Sequence, residues 1–319
     1  MAQTPNGTEQ RTDQAVLNRD AKATFFEATY SGVLSFCRRP YAPDLSLAAD
    51  VAVFGVPFDS AVTNRPGARL GPRAIRAAST QLAELDSHAW GFNPFHRLGV
   101  IDAGDIPLNP HDPATIVDQI FAGVAPIYEA DLFPLALGGD HFIAYPLLKA
   151  AAQKYGPLAL LQFDAHADTW DSLGALDHGT MFRRAINEGL IDVDHSLQIG
   201  LRTHTSSDFG LEQIPAHECH TLGPEALVNR ILARVGAAKA YLSFDIDCLD
   251  PAFAPGTGTP VVGGLASWQI LPILRGIGSL HLVGMDLVEV SPPFDHAEIT
   301  ALAAASFAYE VIAMKAAHL

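Results

Sequence analysis

The stretch Leu-Ala-Leu-Leu-Gln-Phe-Asp-Ala-His-Ala-Asp, residues 158–168, joins an apolar run to a cluster of ionisable side chains. Residues 158–163 have the length and composition of a strand that is covered on both faces. Because side chains alternate along an extended chain, Asp164, His166 and Asp168 point to one side. Carboxylates that lie this close resist burial unless a cation joins them. The stretch therefore predicts a metal site at the end of a buried strand.

Similar apolar runs alternate with helical patterns from about residue 50 to the end of the chain. This alternation predicts a mostly parallel sheet flanked by helices. The periodicity fits an open three-layer sheet and a closed barrel equally well. The candidate strands are Val51–Val56, Leu98–Asp102, Phe133–Leu137, Leu158–Phe163, Ser196–Leu201, Ala240–Phe244 and Leu280–Leu287. The candidate helices are Pro72–Leu85, Pro113–Ala130, Ile143–Lys154, Pro224–Val235, Ser267–Gly276 and Ile299–Lys315.

Two further segments place ionisable residues at the ends of predicted strands. Gly-Gly-Asp-His at 138–141 follows one run, and Asp-Ile-Asp at 245–247 follows another. Ligands bind at the carboxyl ends of the strands in parallel α/β folds, whether the sheet is open or closed. The three segments are therefore expected to meet at one end of the sheet.

Together the segments offer four carboxylates and two imidazoles, which indicate a pair of metal ions. One ion with six protein ligands would be coordinatively closed and a poor catalyst. Carboxylates can bridge two divalent ions about 3.5–4 Å apart, with an activated water between them. Oxygen-rich ligation without thiolate favours manganese. The prediction is two Mn²⁺ per chain, held by His141, Asp164, His166, Asp168, Asp245 and Asp247.

Two more residues suit a hydrolase. His178 lies in Leu-Asp-His-Gly-Thr-Met-Phe, at a predicted junction of loop and helix. An imidazole with a pKa near neutrality can pass a proton to a leaving amine. Glu289 follows the last predicted strand, and a carboxylate can accept a planar guanidinium through two parallel hydrogen bonds.

The bulk properties narrow the class of protein. The chain has 319 residues and a net charge of −15, which disfavours nucleic acid and anionic membranes as partners and favours a cationic substrate. Its three cysteines form no Cys-x-x-Cys pair, as expected in the reducing cytoplasm. We expect no secretory signal and no apolar stretch that is long and uncharged enough to cross a membrane. We expect a flexible tail at residues 1–25 and a single domain at 26–319.

A series of short motifs runs from about residue 50 to 315. They are Gly55-Val-Pro-Phe-Asp59, Gly71-Pro-Arg-Ala-Ile-Arg76, Gly138-Gly-Asp-His141, Asp164-Ala-His-Ala-Asp168, His178-Gly-Thr180, Ser243-Phe-Asp-Ile-Asp-Cys-Leu-Asp-Pro251, Gly256-Thr-Gly-Thr-Pro260 and Met285-Asp-Leu-Val-Glu-Val-Ser-Pro292. In order and spacing they resemble the ureohydrolases, the arginase and agmatinase family, and bacterial agmatinases most closely. The resemblance implies an α/β fold of three αβα layers, with an open, mostly parallel eight-stranded sheet and a binuclear manganese centre.

The resemblance also implies a role for each motif residue. One ion would be held by His141, Asp164, Asp168 and Asp245, and the other by Asp164, His166, Asp245 and Asp247. Asp164 and Asp245 would bridge the ions. His178 would shuttle a proton, and Glu289 would orient the substrate guanidinium. The family further implies a homo-oligomer, either a trimer or a hexamer.

The segment between the metal ligands and His178 bears on the substrate. It is shorter than the arginase version and lacks its Asn, so the resemblance favours hydrolysis of agmatine to putrescine and urea, a step of polyamine biosynthesis. Trp170 is expected to touch the ligand, and Asp171 or Asp177 to attract its distal ammonium. Arg65 and Arg69 leave a guanidinobutyrase as an alternative. A catalytically silent structural subunit and a one-zinc deacetylase are rivals from other classes.

Overall fold

A single sheet of eight parallel strands organises the chain. The computed structural model describes residues 13–23, 27–109, 111–171 and 176–319. The strand order across the sheet is β2-β1-β3-β8-β7-β4-β5-β6. The strands are β1 (Val51–Val56), β2 (Val100–Asp105), β3 (Phe133–Gly138), β4 (Ala159–Phe163), β5 (Leu197–Leu201), β6 (Glu212–Pro215), β7 (Lys239–Asp245) and β8 (His281–Val288).

The sheet is open, because β2 and β6 lie at its edges and each pairs with one neighbour. The expected three-layer fold with an open sheet is therefore confirmed, and the alternative of a closed barrel is wrong. Strand β6 is not among the strands predicted from sequence. It spans only Glu212–Pro215, with Glu and Gln at its first two positions, and such a short, polar edge strand has no apolar run to reveal it.

Helices cover both faces of the sheet. They are α1 (Gln14–Leu17), α2 (Gly71–Ser79), α3 (Ile116–Glu129), α4 (Ala144–Tyr155), α5 (Met181–Asn187), α6 (Ala216–Val235), α7 (Ser267–Gly276) and α8 (Ile299–Ala317). The apolar residues of α2, α6, α7 and α8 join one core layer, and those of α3, α4 and α5 join the other. Along β1, Val51 and Val53 face the first layer, whereas Ala52 and Phe54 face the second, as the alternation of strand side chains requires.

Helix α8 is long and apolar enough to cross a membrane by length and composition alone. This corrects the expectation that no apolar stretch of the chain reaches that length. In the fold, 72% of the apolar window is buried, and α8 packs against α2 and α7. A helix that is apolar on all sides and lies within the fold is a core helix.

The expected tail at residues 1–25 lies partly outside the described residues, which begin at 13 and omit 24–26. Within residues 13–23, α1 lies against the domain, because the carbonyl of Ala15 accepts a hydrogen bond from the backbone N–H of Tyr41 at 2.6 Å. The boundary between tail and domain stays a prediction.

The four strands β3, β8, β7 and β4 are neighbours at the middle of the sheet. Between β3 and β4 the chain passes from one half of the sheet to the other, and β7 and β8 fill the gap later. A change of direction of this kind leaves a crevice at the carboxyl ends of the strands. The predicted ligand segments all end strands of this central group, so they lie around the same crevice.

Candidate metal centre

Tight turns directly after the strands orient the predicted ligands. His141 begins a turn of 3-10 helix after β3, and the carboxylate of Asp140 caps that turn. Asp245 ends β7, and its carboxylate accepts the backbone N–H of Asp247 at 2.7 Å. This bond fixes the spacing of the Asp-Ile-Asp segment, so that both carboxylates return to the same side of the sheet.

Two residues of the site have a left-handed backbone. Asp168 has a φ of 52° and Glu289 a φ of 63°. Residues other than glycine rarely adopt this region, and they are held there by surrounding structure, often at functional sites. The backbone N–H of Glu289 donates to the carbonyl of Gly139 at 2.9 Å, which ties the end of β8 to the turn that carries His141.

The first ligand group surrounds His141. Its Nδ1 lies 3.0 Å from Oδ2 of Asp164, 2.9 Å from Oδ2 of Asp168 and 3.2 Å from Oδ2 of Asp245. All four side chains are at most 6% exposed. Three carboxylates and one imidazole thus converge on a point within the protein.

The second group shares Asp164 with the first. Nδ1 of His166 lies 3.1 Å from Oδ2 of Asp247 and 3.4 Å from Oδ1 of Asp164. The possible ligand atoms of His141, Asp164 and Asp168 lie within 4.8 Å of one another, and so do those of Asp164, His166 and Asp247. The structure therefore brings all six predicted ligands together, as two groups joined at Asp164.

The electrostatics of these groups show strong crowding of negative charge. Burial, followed by repulsion from Asp164, raises the pKa of Asp168 to about 7. Burial and the neighbouring carboxylates also raise the pKa of Asp245 well above its ordinary value. Burial opposes the charged form of His166, yet Asp247 and Asp164 raise its pKa to about 12. Each carboxylate thus needs a nearby positive charge to stay ionised.

The donor set fits divalent metal ions. Nδ1 of His141 is buried and has no hydrogen-bond partner, although three carboxylates surround it. In the part of the chain that the structure describes, no lysine or arginine forms an ion pair with the four ligand carboxylates. An unpaired ring nitrogen amid carboxylate oxygens is the arrangement expected where a metal ion binds.

His178 lies beside the metal groups and is held at both ring nitrogens. Its Nδ1 lies 2.8 Å from Oε1 of Glu289, and its Nε2 lies 2.8 Å from the hydroxyl of Thr63. Burial acts to lower the pKa of His178, but the hydrogen bond and the charge of Glu289 raise it to about 9. The backbone N–H of Thr63 points at Nε2 from 3.1 Å and favours the neutral ring. His178 can therefore both hold and release a proton at Nε2.

Glu289 is 1% exposed and lies behind His178. Its Oε1 accepts the backbone N–H of His141 at 2.8 Å as well as the contact from His178. Its Oε2 is buried and has no partner, and a side chain on Gly258 would begin only 3.4 Å away from it. One carboxylate oxygen is thus committed to the protein, and the other is left for a ligand.

A cavity of about 410 Å³ opens above these groups. Trp170, 37% exposed, forms part of its wall, with the ring 5.9 Å from that of His166. A side chain on Gly179 would meet the indole at 2.7 Å, so a glycine at that position leaves room for Trp170. The described residues that line the cavity are Thr63, His166, Asp168, Trp170, Asp171, Asp177, His178, Gly179, Thr180, Asp245 and Thr259.

The two candidate acids at the mouth differ in their environment. Asp171 has an 87% exposed side chain and is paired with Arg183. Asp177 is half-buried, and its Oδ1 accepts the backbone N–H of Gly179 at 2.9 Å. The sequence offers both Asp171 and Asp177 as partners for a distal ammonium, and the geometry favours Asp177 because its charge has no cationic partner among the described ion pairs.

Sequence reasoning missed several supporting residues. Thr63, which contacts His178, comes from a loop with no distinctive pattern. Thr259, whose hydroxyl donates to Asp247 at 3.3 Å, lies in the Gly256–Pro260 motif, but the motif alone gave it no role. Gln162 and Ser243 did carry a signal, because each is a polar residue inside an otherwise apolar strand. Buried polar side chains need partners, and both contact metal-group residues, Asp164 and His141 respectively.

Known proteins resemble this chain over most of its length. The model of the arginase family matches residues 49–314. An agmatinase from Chromobacterium violaceum is 50% identical over 305 residues, which cover 95% of this chain and 94% of that protein. An agmatinase from Proteus mirabilis is 48% identical and covers 88% of this chain and 90% of its own length.

Solved structures show the same relationship. A hypothetical agmatinase from Burkholderia thailandensis superposes with a TM-score of 0.93 at 51% identity, covering 96% of this chain and 98% of that one. The proclavaminate amidino hydrolase from Streptomyces clavuligerus superposes with a TM-score of 0.86 at 37% identity, covering 92% of this chain and 100% of that one. The expected resemblance to ureohydrolases is confirmed, and since family match, fold and ligand motifs coincide over the same residues, the chain belongs to the arginase family.

Proposed function

We propose that this protein is an agmatinase, which hydrolyses agmatine to putrescine and urea at a pair of manganese ions. The observation that carries the proposal is the pair of ligand groups joined at Asp164, at the base of a cavity lined by carboxylates. The relatives at about half identity that bear the name agmatinase support the choice of substrate.

The six ligands would hold the metal as two overlapping sets. His141 and Asp168 would hold one ion, and His166 and Asp247 would hold the other. Asp164 belongs to both, and Asp245 reaches the first set through its Oδ2. When bound, such a metal pair supplies Lewis acidity and lowers the pKa of a water at the site. Four carboxylates and two imidazoles, with no thiolate, are the donors expected for manganese.

The protein supplies the proton that the departing amine needs. Breaking the bond between the guanidinium carbon and the amine nitrogen leaves that nitrogen basic, and His178 borders the cavity with its Nε2 next to Thr63. Glu289 holds the opposite ring nitrogen, so it fixes the ring and stabilises the imidazolium before transfer. The free Oε2 of Glu289 is proposed to accept one N–H of the guanidinium.

The charge of the cavity supports a dicationic substrate. Its described lining contains the four acids Asp168, Asp171, Asp177 and Asp245, and no lysine or arginine. Of the basic residues that would favour 4-guanidinobutyrate, Arg65 lies over the ring of Phe294, and Arg69 is paired with Asp59. Neither lines the cavity. A carboxylate on the substrate would therefore find no lysine or arginine to pair with among the described lining residues and would lie near four acids.

The test is a comparison of substrates on the manganese-loaded protein. Chelated protein is reconstituted with manganese, and urea release is measured with agmatine, 4-guanidinobutyrate and arginine in parallel. We expect the highest kcat/KM for agmatine. A preference for 4-guanidinobutyrate would replace the proposal with the guanidinobutyrase alternative, and absence of bound metal and turnover would favour the silent subunit.

We further propose a cytoplasmic homo-oligomer, a trimer or hexamer. All three cysteines are free and buried, which suits a reducing compartment. Tyr30, Val33 and Leu34 are exposed close together in the chain, Tyr30 at 92%. Exposed apolar side chains in one segment are typical of subunit contacts. Light scattering combined with gel filtration measures the number of subunits directly.

A further inference from the structure

A row of three glutamines crosses the sheet and ends on the carboxylate shared by both metal groups. Gln162, Gln198 and Gln213 stand opposite one another on β4, β5 and β6. The amide of Gln213 donates to Oε1 of Gln198 at 2.8 Å, and the amide of Gln198 donates to Oε1 of Gln162 at 2.6 Å. The amide of Gln162 then donates to Oδ2 of Asp164 at 2.7 Å. We call this row the glutamine ladder.

The direction of the ladder is fixed by groups that can only accept hydrogen bonds. The amide nitrogen of Gln162 also faces the carbonyl of His166 at 3.1 Å, and that of Gln198 faces the carbonyl of Ala167 at 2.6 Å. Turning either amide over would place two oxygens against each other. Each donor end therefore points towards Asp164, and the three amide dipoles add.

The ladder is an unusual use of core volume. Gln162 and Gln198 are completely buried, and their strands are otherwise apolar at these positions. A buried amide lowers stability unless every polar atom is paired, and an apolar side chain would avoid that requirement. The three residues satisfy each other only because they share a register across β4, β5 and β6. Stability alone gives no reason for this arrangement.

The residue at the end of the glutamine ladder, Asp164, gives a functional reason for the arrangement. Asp164 is common to both ligand groups, so the angle of its carboxylate affects both. Oδ1 accepts the backbone N–H of His166 at 2.7 Å, while Oδ2 accepts the amide of Gln162. Each oxygen keeps a lone pair for a cation. Neutral donors fix the carboxylate without adding a positive charge, whereas an arginine or lysine in their place would repel the metal.

We infer that the glutamine ladder is a positioning device for the metal centre, with Gln162 as the residue that holds Asp164 and with Gln198 and Gln213 holding Gln162. The inference rests on the proposed manganese pair. It assigns to three residues outside the ligand set a share of the metal affinity that decreases with distance along the ladder.

The experiment is a manganese titration of metal-free protein, followed by the electron paramagnetic resonance signal of free Mn²⁺. The variants are Gln162→Met, Gln198→Met and Gln213→Met, which keep the side-chain length but remove the amide. The matched control is Gln269→Met, since Gln269 lies in α7, is 6% exposed and accepts the backbone N–H of Ala266, the residue before that helix. Loss of one supporting hydrogen bond typically weakens metal binding about 10- to 100-fold.

We expect the dissociation constant to rise about tenfold or more for Gln162→Met, less for Gln198→Met, least for Gln213→Met and not at all for the control. A general loss of packing would move the urea midpoint of the metal-free variants but would not give this order. If Gln162→Met does not fold, the manganese dissociation constants of Gln198→Met and of the Gln269→Met control are compared instead, and a higher value for Gln198→Met supports the inference. Equal affinities, or any other order, would overturn the inference, whereas failure of the parent protein to bind manganese would overturn the proposed function itself.

Discussion

The contact between Glu289 and His178 allows a quantitative prediction. Glu289→Gln keeps the shape of the side chain, and its amide oxygen can still accept from the backbone of His141 and from Nδ1 of His178. The negative charge is lost, and an N–H donor takes the place of the Oε2 proposed to accept the guanidinium. Burial acts to lower the pKa of His178, but the hydrogen bond and the charge of Glu289 outweigh it and raise the pKa from 6.5 to about 9. This difference corresponds to about 3 kcal/mol in favour of the imidazolium.

The sign of the pH effect follows from the proposed role of His178 as an acid. The protonated ring is active, so kcat falls as the pH rises through the pKa of His178. In Glu289→Gln, burial remains while the main opposing charge is gone, and we expect that pKa to fall to 6.5 or below. The fraction of imidazolium at pH 8.5 then falls by roughly two orders of magnitude, with a much smaller loss at pH 6.

The assay is urea release from saturating agmatine between pH 5.5 and 10, with manganese content checked for each variant. Loss of a guanidinium contact would raise KM by a factor that does not depend on pH, so KM and kcat separate the two proposed roles of Glu289. Glu310→Gln serves as the control, because Glu310 is 4% exposed and pairs with Arg275 away from the site. If kcat of Glu289→Gln still declined only near pH 9, as expected for the parent protein, the reasoning would be refuted.

Three further predictions concern other parts of the molecule. Asp247→Ala removes a ligand of one metal group only, so metal analysis after gel filtration should show about one manganese per chain rather than two; two would contradict the assignment. Asp177→Asn should raise the KM for agmatine about three- to tenfold without changing kcat. Asp171→Asn should change the KM less than about twofold, because Arg183 already offsets the charge of Asp171. A larger effect of Asp171→Asn than of Asp177→Asn would refute the preference for Asp177. Burial lowers the pKa of Lys315 to about 8, so the folded state binds its proton less tightly and stability should rise between about pH 8 and pH 10.5. Lys315→Met should then raise the free energy of unfolding by about 1–3 kcal/mol at pH 7, with the gain vanishing above about pH 10.5 in urea titrations.

Local pattern was sufficient where one feature dominates. The apolar runs of β1, β3 and β7 and the boundaries of α7 follow directly from sequence, as do the ligand segments at the strand ends. The edge strand β6 could not be predicted from its sequence, because its stability comes from pairing with β5 rather than from its own residues. The first part of α6 also went unpredicted, because Gly223, with a φ of 74°, and Pro224 interrupt the helix and mark only the second part as regular.

The site was predictable in its ligands and less so in its surroundings. Ligand identity is a matter of residue type at a strand end, and short motifs record it. The environment of a charge depends on which distant side chain comes to meet it. Arg183, which pairs with Asp171, lies in α5, and nothing in the spacing of the two residues shows that they touch while Asp177 has no such partner.

The polar residues within the central strands explain why the metal centre and the sheet depend on each other. Nε2 of His141 lies 2.9 Å from the hydroxyl of Ser243 on β7, which donates to Asp286 on β8 at 2.8 Å. Gln162 on β4, which holds Asp164, accepts the amide of Gln198 on β5 at 2.6 Å. The contacts of Ser243 and Gln198 cross between strands, so a shift of one residue in register would turn these groups to the opposite face and leave the candidate ligands without support. Pairing of β4 with β5 and of β7 with β8 thus aligns the two ligand groups, and bound metal ions would in turn offset the repulsion between the carboxylates of these groups in the folded state.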